Sequence, residues 1–303
     1  MSKLSRYILA FAVPLVSAGL AAPAHAGFKA EVKYAQVGEI KMAYYTRGQG
    51  DPLIMIMGDT GTMGAWDPAL LDALDDENTL ILFDNRGCGL STDTAEDKTT
   101  MAQMADDTAG LLKALGHEKA NVLGWSMGAR IAQQVVIRHP DMVMHAIFAA
   151  PNPGGSHQFK TAKAVEDAIN DPKVPVLDKA KYAFPDSPAG ELAMKQALDR
   201  IAAARASGEL PNDTACSEEA AQRQNRARTT LWNADQGNYE ALANIKVPVL
   251  VADGRDDVID PPQNASIIAA QIPFAWLTFY DGGHAFLYQS AEPFGATVNL
   301  FLK

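Results

Sequence analysis

Cysteine is scarce in this chain: Cys88 and Cys216 are the only two in 303 residues. Neither sits at ligand spacing from a second cysteine or a histidine, so no structural zinc or iron–sulfur site is expected. The two lie far apart in sequence, and only geometry decides whether they pair. Basic residues are also in deficit. Twenty-six Lys and Arg face 36 Asp and Glu, for a formal charge of −10. That balance argues against nucleic acid and anionic membrane surfaces as partners. After the first 26 residues no apolar run approaches membrane-spanning length. Internal repeats and low-complexity tracts are missing too, which excludes a solenoid.

What is present begins with a leader pattern. Lys3 and Arg6 precede an apolar stretch from Tyr7 to Ala22, and Ala24-His25-Ala26 supplies small residues where a signal peptidase reads. Residues 1–26 are therefore expected to be a secretory signal peptide, cut before Gly27, with the protein exported to a periplasm or beyond. Pro14 and the short run argue against an uncleaved anchor.

The remainder alternates between strand and helix signals. Strand patterns cover Ala30 to Val37 and Ile40 to Arg47, and continuous apolar runs cover Leu53 to Met57 and Leu80 to Phe83. Further strands are predicted at Ala120 to Leu123, Ala146 to Ala150, Val247 to Ala252 and Trp276 to Tyr280. Helices are predicted at Trp66 to Leu74, Met101 to Leu115, Ala129 to Arg138, Gln263 to Ile272 and Glu292 to Leu302. This rhythm predicts a parallel α/β sheet covered on both faces, built from 27–151 and 245–303. Between them, 152–244 turns rich in Ala, Lys, Asp, Glu and Gln, and reads as a helical insertion above the strand ends.

One stretch carries chemistry. Gly124-Trp125-Ser126-Met127-Gly128 reads G-x-S-x-G between a predicted strand and a predicted helix. A serine on so sharp a turn projects its hydroxyl from the sheet, and flanking glycines avoid collision with neighbouring backbone. A serine hydroxyl needs a base, and the base an orienting carboxylate. Downstream of the 247–252 strand the one histidine is His284, in a glycine-rich loop after the last strand. Four aspartates crowd the loop after strand 247–252. Asp257 is the expected acid with Asp256 the alternative; Asp253 and Asp260 are expected to cap the helix near Pro261 and Pro262.

With these residues in hand, the chain resembles the α/β-hydrolase-fold serine hydrolases across essentially all of its mature length. The matching segments are Leu53 to Gly58, Phe83 to Ser91, the Gly124–Gly128 elbow, Gly254 to Ile259, and Gly282 to Phe286. The resemblance implies a mostly parallel eight-stranded sheet flanked by helices, a cap domain from 152–244, and an oxyanion hole of two backbone N–H groups, those of Asp59 and Met127. Asp59 departs from the family pattern, because a carboxylate beside an oxyanion would repel it. Either its side chain points away, or it binds a polar or cationic part of the substrate. The 86–89 segment resembles that of proline aminopeptidases, and a cysteine in that loop makes pairing of Cys88 less expected.

The implied activity is hydrolysis of a small-molecule carboxylic ester through an acyl-enzyme, with no cofactor. An aminopeptidase, lactonase or carbon–carbon bond hydrolase would use the same triad. An aminopeptidase would need acidic insertion residues such as Glu218 and Glu219 to hold an amino group. A binding protein without turnover is the reading from another class, and the full Ser–Asp–His set speaks against it. Met63, Trp125, His157 and Phe286 are candidates for lining the pocket, with core packing an equal alternative for the apolar three.

Overall fold

The computed structural model describes residues 28–303 apart from 172, 213 and 214, so the expected leader lies outside the described residues. Eight strands form one sheet in the order β1-β2-β4-β3-β5-β6-β7-β8. The strands are β1 (Lys33–Val37), β2 (Ile40–Gly48), β3 (Asp51–Ile56), β4 (Asn78–Phe83), β5 (Ala120–Trp125), β6 (Val143–Ala149), β7 (Val249–Gly254) and β8 (Ala275–Tyr280). β2 runs antiparallel to both β1 and β4, and every other pairing is parallel.

Alternation along the central strands builds the two faces. Ile54 and Ile56 of β3 join Val122 of β5 in one core, under α2 (Met101–Ala114) and α3 (Met127–Arg138). Leu53, Met55 and Leu123 join the other, against α1 (Pro68–Asp75) and α12 (Ala291–Phe301). All are fully buried. At about 1.5–3 kcal/mol per large side chain, this two-sided burial outweighs any local propensity in setting strand register.

The first two helices begin where a side chain caps their free N–H groups. Asp67 caps α1 through the Ala69 N–H, with Pro68 in the first turn. Thr100 accepts the Gln103 N–H at the start of α2, and Gly116 follows its end at φ +82°. Between β6 and β7 the chain forms α4 (Lys163–Asn170), α5 (Val176–Ala180), α6 (Pro188–Ser207), α7 (Glu218–Arg226), a π-helical turn (Ala227–Leu231), α8 (Trp232–Ala234) and α9 (Gly237–Leu242). The remaining helices are α10 (Gln263–Gln271) and α11 (Phe286–Gln289).

The segment between β6 and β7 is tied to the rest of the fold by buried apolar side chains, among them Phe184, Leu210, Trp232 and Leu242, and by polar contacts. Arg200 pairs with Asp67, and Arg223 with Asp93. A disulfide joins Cys88 to Cys216, a pairing the sequence leaves open and makes less expected. The loop after β4 and the segment before α7 meet only once the insertion folds back, which no sequence spacing conveys. Among the described residues, no helix is long and apolar enough to cross a membrane.

Candidate active site

β5 delivers Ser126 directly into α3. The serine adopts φ 59° and ψ −121°, a left-handed conformation that side chains normally avoid. Its N–H is held by the Ala149 carbonyl at 2.9 Å. The flanking glycines have no substitute: a Cβ at Gly124 would lie 2.1 Å from the Gly128 oxygen, and one at Gly128 2.0 Å from the Ile56 oxygen. Close contact between strand and helix is what forces the serine outward.

The other two residues come from loops at the same end of the sheet. His284 follows β8, and its Nε2 lies 2.7 Å from Ser126 Oγ. Its Nδ1 lies 2.6 Å from Asp257 Oδ2. The second oxygen of Asp257 accepts the N–H groups of Ile259 and Asp260 at 2.7 and 2.9 Å, which fixes the rotation of the carboxylate. A Cβ at Gly254 would sit 2.1 Å from the Gly283 oxygen, so the acid and histidine loops touch through bare backbone. Asp256, the alternative acid, is exposed.

Burial works against a charged His284. The Asp257 carboxylate, its hydrogen bond and the charge of Asp260 outweigh that burial and raise the imidazole pKa above the ordinary histidine value. The neutral form is the one able to accept a proton from Ser126 Oγ. Turnover should therefore be full above this raised pKa and fall away as pH drops through it. A kcat/KM profile should place the acid limb above about 6.5, the unperturbed value. A limb well below that would contradict the His284–Asp257 pairing.

Asp253 and Asp260 do not cap α10, whose first turn has no side-chain cap. Asp260 is buried and held by Arg130 Nη2 at 2.8 and 2.9 Å and by Asn152 at 2.9 Å. Burial raises its carboxyl, but Arg130 overrides this and keeps it ionised. Arg130 lies on α3 one turn after Ser126, so the helix that follows Ser126 and the loop that carries Asp257 are pinned together. Asp253 is buried beside Asp257, the two carboxyl groups lying within hydrogen-bond reach of each other.

The expected pocket residues separate. Trp125 stays at the site: its Nε1 donates to the His284 carbonyl at 2.9 Å, and its ring centre is 5.8 Å from the imidazole. Met63 is buried in the core, with its N–H on Asp84 at 2.7 Å. Phe286 is also buried, stacked on Tyr280 and edge-on to Phe294. His157 is drawn elsewhere. It stacks on Tyr239 at 4.1 Å, pairs with Glu240 at 3.2 Å, and keeps 45% of its side chain exposed.

Gly58 abuts Ser126, since a Cβ there would be 3.2 Å from that of the serine. The 58–59 peptide is thus beside Ser126, and Met127 follows it directly. The Asp59 carboxylate is answered by Arg228, Nε to Oδ2 at 3.2 Å. The sequence near Asp59 carries no signal for a cation supplied from 169 residues downstream.

Residues 51–291 match the α/β-hydrolase fold family, and the chain belongs to it. Over 263 residues it is 31% identical to the "Putative non-heme bromoperoxidase BpoC" of Mycobacterium tuberculosis strain H37Rv, covering 84% of this chain and 94% of the relative. It is 30% identical to the "Putative carbamate hydrolase RutD" of Caulobacter sp. strain K31, covering 82% and 88%. Among solved structures, an α/β-hydrolase fold protein from Chitinophaga pinensis superposes with a TM-score of 0.81 at 28% identity, covering 90% of this chain and 98% of that one.

Proposed function

We propose that the protein is an exported serine hydrolase that cleaves a carboxylic ester of a small molecule. The observation that carries this is the continuous hydrogen-bonded line from Ser126 through His284 to Asp257. Ser126 Oγ attacks the ester carbonyl while His284 Nε2 takes its proton. Asp257 stabilises the imidazolium, and the N–H groups of Asp59 and Met127 receive the oxyanion, worth a few kcal/mol of barrier per donor. His284 then protonates the departing alcohol. Water, deprotonated by His284, attacks the acyl-enzyme and releases the acid, returning Ser126. The insertion acts as the cap over this centre. The leader pattern and the Cys88–Cys216 disulfide together support an oxidising, exported setting.

Likeness to RutD keeps acyl–nitrogen cleavage as a second reading. An amino-group anchor on Glu219 has no support, since that carboxylate pairs with Arg223. A panel of nitrophenyl esters, lactones and amino-acid naphthylamides decides. Esters should give the highest kcat/KM. Faster amide or lactone turnover would overturn the ester assignment, and no turnover of any class would overturn hydrolysis.

A further inference from the structure

We infer that Gln224 and Arg228, two side chains of the insertion, are positioning residues for the oxyanion hole: they clamp the 58–61 turn that carries the Asp59 N–H. The inference rests on the acyl-transfer reading above and adds the device that sets one of its donors.

The turn is closed by the Gly61 N–H on the Gly58 carbonyl at 3.1 Å, with Asp59 and Thr60 at its centre. Thr60 has φ +55°. A turn of this kind wants glycine at that position, and a β-branched residue there is strained. Such a conformation persists only where its surroundings over-determine it. The simplest relief is to flip the Asp59–Thr60 peptide, which would rotate the backbone next to the Asp59 N–H.

Gln224 blocks that flip. Its Oε1 accepts the Thr60 N–H at 2.8 Å, and its side chain is buried. A flipped peptide would turn a carbonyl oxygen toward this acceptor. The amide cannot simply rotate to compensate, because its Nε2 donates to Cys88 Sγ at 3.0 Å. Arg228 holds the other central residue through the Asp59 carboxylate and is itself steadied by Asn170. It projects from the π-helical turn that extends α7, a geometry often found at functional sites.

The helix that carries the clamp is anchored independently. Cys216 precedes it and is bonded to Cys88, and the Ser217 N–H reaches the Gly87 carbonyl at 3.5 Å. Arg223 donates to Asp93 and to the carbonyls of Thr94 and Ala95 at 2.8–3.0 Å. The insertion is thereby part of the oxyanion machinery as well as its cover.

The test uses the full mature chain and nitrophenyl acetate. Gln224→Met should lower kcat about tenfold with little change in KM, because a displaced donor is felt chiefly in the transition state. Adding Thr60→Gly, which removes the penalty on positive φ, should restore most of that loss. A structural role for Gln224 would not be rescued this way. Should Gln224→Met fail to fold, Arg228→Met with and without Thr60→Gly gives the same readout. A kcat within twofold of wild type, or a loss that Thr60→Gly leaves untouched, overturns the clamp. A wild-type protein with no esterase activity overturns the acyl-transfer reading instead.

Discussion

Ser126→Ala should abolish ester hydrolysis and leave the fold intact. The loss in kcat should be on the order of 10⁴–10⁶, with any residue of activity supplied by the oxyanion donors and binding alone. Labelling by a fluorophosphonate probe should vanish with it, since the probe phosphonylates Oγ. Stability should barely move, because alanine inherits the same backbone at φ 59° and the same contacts around Gly124 and Gly128. Ser126→Gly sharpens the test. Glycine is indifferent to positive φ, so relief of strain of about 1–3 kcal/mol should raise the melting temperature while activity is lost. Thermal unfolding and probe labelling of the two variants check both halves. A Ser126→Ala protein that still labels would remove this residue from the nucleophile's role. A Ser126→Gly protein less stable than wild type would show that the elbow is not a store of strain.

Much of this arrangement was legible because strand and helix periodicity, glycine and chain order each leave a local mark. All eight strands overlap the segments where alternating patterns or apolar runs place them, and the serine, histidine and acid lie at strand ends in the expected order. The discrepancies have local causes. α3 starts at Met127, two residues before the helical pattern, because Gly128 weakens the pattern while the elbow itself forces the helix. β7 begins at Val249 because Pro248 has no N–H to give the ladder. What stayed hidden depends on the path of the insertion. Nothing near Cys88 points to Cys216, nothing near Asp59 points to Arg228, and nothing near Asp260 points to Arg130. These are pairings of opposite or like chemistry between segments far apart in the chain, and a single sequence carries no record of which partners meet. The surroundings of His157 are hidden for a related reason: its position at the start of the insertion says nothing of which way the ring faces, and it stacks on Tyr239.

The end of β7 and the loop after it offer the sharpest remaining contrast, because three aspartates within five residues should respond differently to the same substitution. At Asp257, asparagine keeps an oxygen on the Ile259 and Asp260 N–H groups, since those two donors admit nothing else. Its amide N–H₂ must then face His284 Nδ1. The ring can only answer by accepting there, so the proton moves to Nε2, and the nitrogen 2.7 Å from Ser126 Oγ can no longer take the hydroxyl proton. Loss of the correct tautomer in a triad of this kind costs about 10⁴ in kcat. Loss of the charge also removes what holds the His284 pKa up, so the acid limb of any residual activity should shift to lower pH. At Asp253, burial and then the nearby Asp257 charge push the carboxyl well above the usual carboxylate range. That site favours a neutral group, and the oxygen that accepts the Gly254 N–H survives in asparagine. Asp253→Asn should therefore keep kcat within about threefold, and Asp256→Asn, at an exposed position, should do the same. Steady-state kinetics of the three variants separate the roles. If Asp253→Asn were as damaging as Asp257→Asn, the ionised partner of His284 would have to be reassigned within this loop, and the line of charge from Ser126 would end one strand residue deeper in the sheet.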